Sequence, residues 1–135
     1  MADCDATGGP VPRSVSGEST PEEVFSGSPR GLELFRALVE LLSVPKPPTV
    51  HATRSQVAFR EKRGYAYFWW PGRYVDSAVP AVLSIALPRR IESDRVKEVV
   101  NPSPGVWMHH LELHSLDELD TEVLDWLREA REAAG

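Results

Sequence analysis

A single cysteine, Cys4, is all the thiol this 135-residue chain has. No intrachain disulfide can form, and no cysteine-rich zinc site can be built. Long apolar runs are also missing. None reaches the roughly 18–20 residues that a membrane span needs. The first twenty residues lack both a basic stretch and an apolar stretch, so no secretory signal and no lipidation motif is expected there. Catalytic motifs are scarce too. There is no G-x-S-x-G elbow, and Gly8-Gly9 precedes no helix that could cradle a phosphate. With these absences a cytoplasmic protein is the expectation.

A core, by contrast, is affordable. Hydrophobic residues make up 41% of the chain, which argues against global disorder. The length fits one domain. The net charge of −5 hides an asymmetry: residues 1–44 carry −4, residues 45–110 carry +5, and residues 111–135 carry −6. A basic middle between acidic ends can steer an anion. The simpler reading is internal complementarity with solvated helix faces.

Residues 1–20 are rich in Gly, Ser, Pro and Thr and read as a disordered tail. Residues 21–135 then form a single α+β domain, with Val24 and Phe25 as the first anchors. Ser28-Pro29 marks a helix start, since serine can cap and proline fits the first turn. Leu32, Phe35, Leu38, Val39 and Leu42 follow at helical spacing, and Pro45 ends the helix near Ser43. His51–Glu61 and Tyr65–Trp70 are rich in strand formers and flank Lys62-Arg63-Gly64, where Gly64 can supply the positive φ of a tight hairpin. Val79–Leu87 alternates, with Leu83 and Ile85 on one face and Val82, Ser84 and Ala86 on the other. Ser93–Val100 reads as a short helix, Asn101 to Gly105 as a turn, and Val106–His114 as the last strand. That strand places Trp107, His109, Leu111 and Leu113 inward and Met108, His110, Glu112 and His114 outward. Ser115 to Glu118 is a capping box, with Asp120 as a second cap, and the stripe Leu116, Leu119, Val123, Leu127 and Ala130 follows. The expected fold is a two-layer sandwich. An antiparallel sheet of about five strands carries the N- and C-terminal helices on one face, frataxin-like by analogy.

Three constellations could carry chemistry. His110, Glu112 and His114 alternate on one strand, but ligands need convergence from more than one element, so no metal and no cofactor is expected. Cys4 sits in the tail, where no base can be held against it. Arg63-Gly-Tyr-Ala-Tyr-Phe-Trp-Trp70 has the form of the basic-Gly-aromatic strand of RNA-recognition sheets, with Arg54, Arg60 and Arg73 around it. The facing of those aromatics depends on the hairpin. A two-residue turn at Arg63-Gly64 puts Tyr65, Tyr67 and Trp69 on the open face. A three-residue loop puts them in the core.

One set of short motifs also matches a pattern. It runs Phe25-x-Gly27, Leu34-Phe35, Thr53-Arg54-Ser55-Gln56-Val57-Ala58-Phe59 and Gly64-Tyr65-Ala66. It continues through Lys97-Glu98-Val99-Val100, His109-His110-Leu111 and Ser115-x-x-Glu118-x-Asp120. Over about residues 22–134 the chain resembles a bacterial domain-of-unknown-function family, number fifty-six fifty-five. Arg54 stands where many members have lysine, which keeps the charge but not the amine. The resemblance implies no activity, cofactor or catalytic residue.

The functional expectation is a non-enzymatic binding module for an anionic or aromatic small ligand or a protein partner. Its site residues are Arg54, Gln56, Arg60, Tyr65, Tyr67, Trp69 and His110, and the chain acts as a monomer or weak homodimer. The alternatives are single-stranded nucleic-acid binding through Arg63–Trp70, or a small enzyme using His110 with Arg54 or Arg60 as an anion clamp. The acidic ends argue against a long nucleic-acid track.

Overall fold

The structure is a computed structural model that describes residues 14–16, 19–44, 46–73 and 75–135. In chain order the elements are β1 (Ser14–Ser16), α1 (Pro21–Val24), α2 (Pro29–Leu42), β2 (Thr49–Ala52), β3 (Val57–Arg60), β4 (Gly64–Trp69), β5 (Ala81–Leu87), β6 (Glu98–Ser103), β7 (Val106–Leu113) and α3 (Thr121–Ala133). The strands form one sheet in the order β1-β2-β3-β4-β5-β7-β6. β1 runs parallel to β2, and every other pairing is antiparallel. This is the expected α+β sandwich with two additional strands. Among the described residues no helix is long and apolar enough to cross a membrane.

Both long helices bury their apolar stripes against the same face of the sheet. Leu34, Phe35, Leu38 and Leu42 of α2 share one core with Val123, Leu127 and Ala130 of α3. From the sheet come Val57, Phe59, Phe68, Leu83, Ile85, Leu111 and Leu113. The Phe35 ring lies 5.9 Å from Phe59 and 6.3 Å from Phe68, within the range of favourable tilted aromatic pairs. α2 starts as its sequence dictates: the Ser28 hydroxyl accepts from Gly31 N–H at 3.0 Å and donates to the Pro80 carbonyl at 2.9 Å. One side chain therefore caps the helix and pins it to the strand beneath.

The far end of the layer is held by Arg131. Its guanidinium donates to Glu61 at 2.7 Å, to the last α2 carbonyl of Leu42 at 2.9 Å, and to the carbonyls of Lys46 and Pro47 at 3.2 and 3.3 Å. Its side chain is only 12% exposed. The β3–β4 loop closes α3 in turn. Lys62 and Arg63 N–H groups donate to the Ala134 carbonyl, and the Arg63 guanidinium donates to Ala133 at 2.6 Å. Cations and N–H groups thus sit at the negative end of the helix dipole.

Several expectations are corrected. Of the stretch read as a tail, residues 1–13, 17 and 18 lie outside the described residues, as do Cys4, Pro45 and Tyr74. Ser14–Ser16 is strand β1, and Thr20 caps α1 by accepting from Glu23 N–H at 3.2 Å. His51–Glu61 is two strands, because Thr53 N–H donates to the Gln56 carbonyl at 2.9 Å and folds the chain back. Ser93–Val100 is no helix. Its β-branched residues extend into β6, which takes the free edge of β7; the register slips between Val100 and Ser103, around Asn101-Pro102. Gly105, at φ 80, makes the β6–β7 turn. The Ser115 box closes only a short 3-10 turn, Leu116–Glu118. Asp120 caps α3 instead, accepting from Val123 N–H at 3.2 Å. The turn swings Leu116 outward, and it is 42% exposed.

The hairpin register resolves as neither alternative. The loop has three residues, but the ladder shifts between Phe59 and Arg60, so Phe59 faces Ala66 and Arg60 faces Gly64. Such a bulge leaves one residue extra and lets it turn. Tyr65 is that residue, and it goes into the core, fully buried against Phe59 at 6.3 Å. Gly64 needs no positive φ. A Cβ there would lie 2.3 Å from the Tyr67 hydroxyl, so a larger residue would push the end of that ring aside.

Leu127 is fully buried. Leu127→Ala is expected to cost about 2–5 kcal/mol in denaturant unfolding; a near-neutral result would mean α3 is not docked.

Two buried titratable groups give pH dependences of opposite sign. Among the described residues the buried Tyr65 hydroxyl has no hydrogen-bond partner. Burial pushes its ionisation up to about 12, with Arg131 pulling down and Glu61 pushing up. The unfolded state ionises first, so its contribution is intact below pH 10 and is lost as pH rises toward about 12. Tyr65→Phe should remove that alkaline loss and stabilise by about 1 kcal/mol, since it deletes an unsatisfied hydroxyl. Destabilisation in a thermal melt would contradict this.

His109 behaves in the reverse sense. Its Nε2 accepts from Ile91 N–H at 2.9 Å, and Nδ1 lies 3.3 Å from the Ile85 carbonyl. The ring is therefore neutral, and burial, ahead of the repulsion from nearby Arg90 and Arg89, holds its protonation below the usual 6.5. Stability from this group is complete above pH 6.5 and declines as pH falls through the lowered value. The protection factor of the Ile91 amide should fall in mild acid, and unchanged protection down to pH 5 would refute the assignment.

Candidate functional site

Strand register assembles a line of side chains across the face that carries no helix. His51 pairs with Ala58, Ala58 with Tyr67, Tyr67 with Ser84, Ser84 with His110, and His110 with Glu98. Alternation puts Gln56, Trp69, Val82 and Glu112 one step along on the same face, and Arg60, Ala86, Met108 and Val100 one step the other way. In the middle is a shallow, open concavity of about 530 Å³, lined by Gln56, Tyr67, Trp69, Ser84, Met108 and His110.

Its floor is a three-strand hydrogen-bond chain. Trp69 Nε1–H on β4 donates to Ser84 Oγ on β5 at 3.2 Å. The same oxygen lies 2.6 Å from His110 Nδ1 on β7. Ser84 is 3% exposed, so its hydroxyl is satisfied by these two neighbours. The chain fixes the indole and the imidazole relative to each other, and both rings remain half-buried at the rim.

Of the residues expected at the site, the concavity gathers Gln56, Tyr67, Trp69 and His110. Tyr65 is withdrawn into the core by the bulge and has no place on this surface. Arg60 shares the open face and Arg54 lies in the β2–β3 turn; both are exposed, and neither lines the concavity. Arg63 is engaged with α3, and Arg73 donates to the Glu23 carbonyl at 3.2 Å. The contiguous aromatic and basic track of the Arg63–Trp70 strand is thus divided between core, helix cap and open face. Ser84 and Met108 complete the lining, outside the expected site residues. Alternation in β5 and β7 places both outward, but only the pairing of those strands brings them beside Trp69.

Ser84 and His110 have the spacing of a nucleophile and its base. Ser84, however, is the middle residue of a strand paired on both sides, so no adjacent backbone N–H is left for a developing oxyanion. Its oxygen also already accepts from Trp69. The histidine–glutamate set does not converge: His110 bonds Ser84, whereas His114 Nε2 lies 3.7 Å from Glu112. Among the described residues no three His, Cys, Asp or Glu side chains group as metal ligands.

A second, smaller crevice of about 190 Å³ lies near Arg95, Lys97, Glu112, His114 and Glu118. Arg95 is committed to the start of α3. It donates to Asp120 at 2.9 Å, to Glu122 at 3.0 Å and to the Glu118 carbonyl at 2.8 Å. That guanidinium holds the Asp120 carboxyl below the usual range. The crevice is the seam of a helix cap.

A family model described as a domain of unknown function (DUF5655) matches residues 22–133. No curated protein and no solved structure matches. From α1 to the end of α3, then, the chain belongs to the DUF5655 family of domains of unknown function.

Proposed function

We propose that the domain is a binding module that holds an anionic or aromatic small ligand on the open face of its sheet. The observation that carries this reading is the Trp69–Ser84–His110 chain at the floor of the concavity. It holds two rings in fixed orientation at the surface, beside Tyr67, Gln56 and Met108. Prearranged rings offer stacking area at low entropic cost. Arg54 and Arg60 at the β2–β3 side add positive potential. Binding is favoured over catalysis because Ser84 lacks oxyanion donors and has its oxygen already bonded.

The test is a nuclear-magnetic-resonance titration of the full chain with indole, benzoate and inorganic phosphate. Shifts should cluster on Gln56, Tyr67, Trp69, Met108 and His110, and Trp69→Ala should weaken binding about tenfold, the loss of about 1–2 kcal/mol of stacking. Shifts centred on Arg95 and Glu118, or scattered over the surface, would defeat the proposal. Micromolar affinity for single-stranded oligonucleotides, steeply salt-dependent, would replace it with the nucleic-acid reading.

A further inference from the structure

What the concavity accepts, given that it binds small ligands as proposed above, follows from counting protons along its floor. An indole N–H can only donate, so Ser84 Oγ is the acceptor of the 3.2 Å bond from Trp69. Ser84 has one proton to give, and His110 Nδ1, at 2.6 Å, is the acceptor within reach. In the neutral ring Nδ1 is then bare and the ring proton sits on Nε2. A second proton would go onto Nδ1 and leave Nε2–H as it was. In either charge state His110 Nε2 is a donor, and among the described residues no side chain or backbone atom accepts from it.

We infer that the concavity selects planar aromatic carboxylates, with the carboxylate on His110 Nε2–H and the ring against Tyr67 and Trp69. The Trp69 N–H is consumed by Ser84, so its indole presents a π surface rather than a polar edge. A ligand headed by a donor would set N–H against N–H at the centre of the site. Potential is divided across the face. Arg60 on β3 shares it, and neither it nor Arg54 has an ion pair among the described residues. Glu98 opposite His110 on β6, and Glu112 beside it on β7, oppose an anion at the imidazole, so the preference rests on the Nε2–H donor. Tyr67 on β4 and Ser84 on β5 complete the titratable and hydroxyl groups facing the ring. The same proton count denies Nε2 to a metal or to general-base duty. A bare Nε2 requires the chain to reverse, which leaves the Ser84 proton buried without an acceptor.

Benzoate and benzamidine test this, because they share a shape and carry opposite heads. With the full-length chain, followed at the Trp69 indole resonance, benzoate should bind at least about tenfold tighter, the worth of one charge-assisted hydrogen bond. His110→Phe should abolish the preference, and Ser84→Ala, which frees the tautomer, should narrow it. Arg60→Gln should leave it largely intact. Equal affinity for the two probes, or a preference that survives His110→Phe, would overturn this inference while leaving open-face binding standing. Failure of both probes and of indole to perturb Trp69 would instead remove the binding reading itself. Independently of any variant's folding, the nitrogen spectrum of His110 in the free protein should show a protonated Nε2, and a neutral ring protonated at Nδ1 would overturn the assignment.

Discussion

The architecture turns on Arg131. Two helices joined by a whole sheet in sequence must meet at their ends, and each end leaves carbonyls without partners. One guanidinium answers for the end of α2, for the connector after it and for Glu61 on the loop beyond β3. A planar, permanently charged fork with five donors is suited to such a junction, and lysine would not be. Because the β3–β4 loop in turn closes α3 through Ala133 and Ala134, the helix layer and the hairpin are mutually fixed. The bulge that turns Tyr65 inward lies next to that loop.

The map of charge takes its meaning from these contacts. Two arginines of the basic middle are spent on the acidic C-terminal end. Arg89 holds Glu129 with two bonds of 2.9 Å, and Arg95 holds Asp120 and Glu122. Internal complementarity therefore accounts for part of the asymmetry. Arg54 and Arg60, exposed and near the open face, are available to a ligand.

Much of this was legible from local pattern. The stripes of α2 and α3, the alternation of β5 and β7 and the outward facing of His110 all follow from side-chain period. What was not legible depends on distant partners. Glu98–Ser103 has no period of its own, and it becomes a strand because β7 offers an edge. Two capping residues, Ser115 and Asp120, compete for one helix start, and sequence does not rank them. The separation of Tyr65 from Tyr67 and Trp69 needs a bulge, which no two-state choice of turn length contains. Ser84 gained its place only through the pairing of β4, β5 and β7.

The irregularity in β6 has a further effect. An outermost strand with a continuous row of free N–H and C=O groups is a template for other chains. Here Pro102 contributes no N–H, and the register slip between Val100 and Ser103 bends the rim at that point. The β6 margin is therefore a poorer mould for intermolecular β-pairing than an unbroken edge strand. The open face beside it can stay wet, aromatic and accessible with that edge blunted.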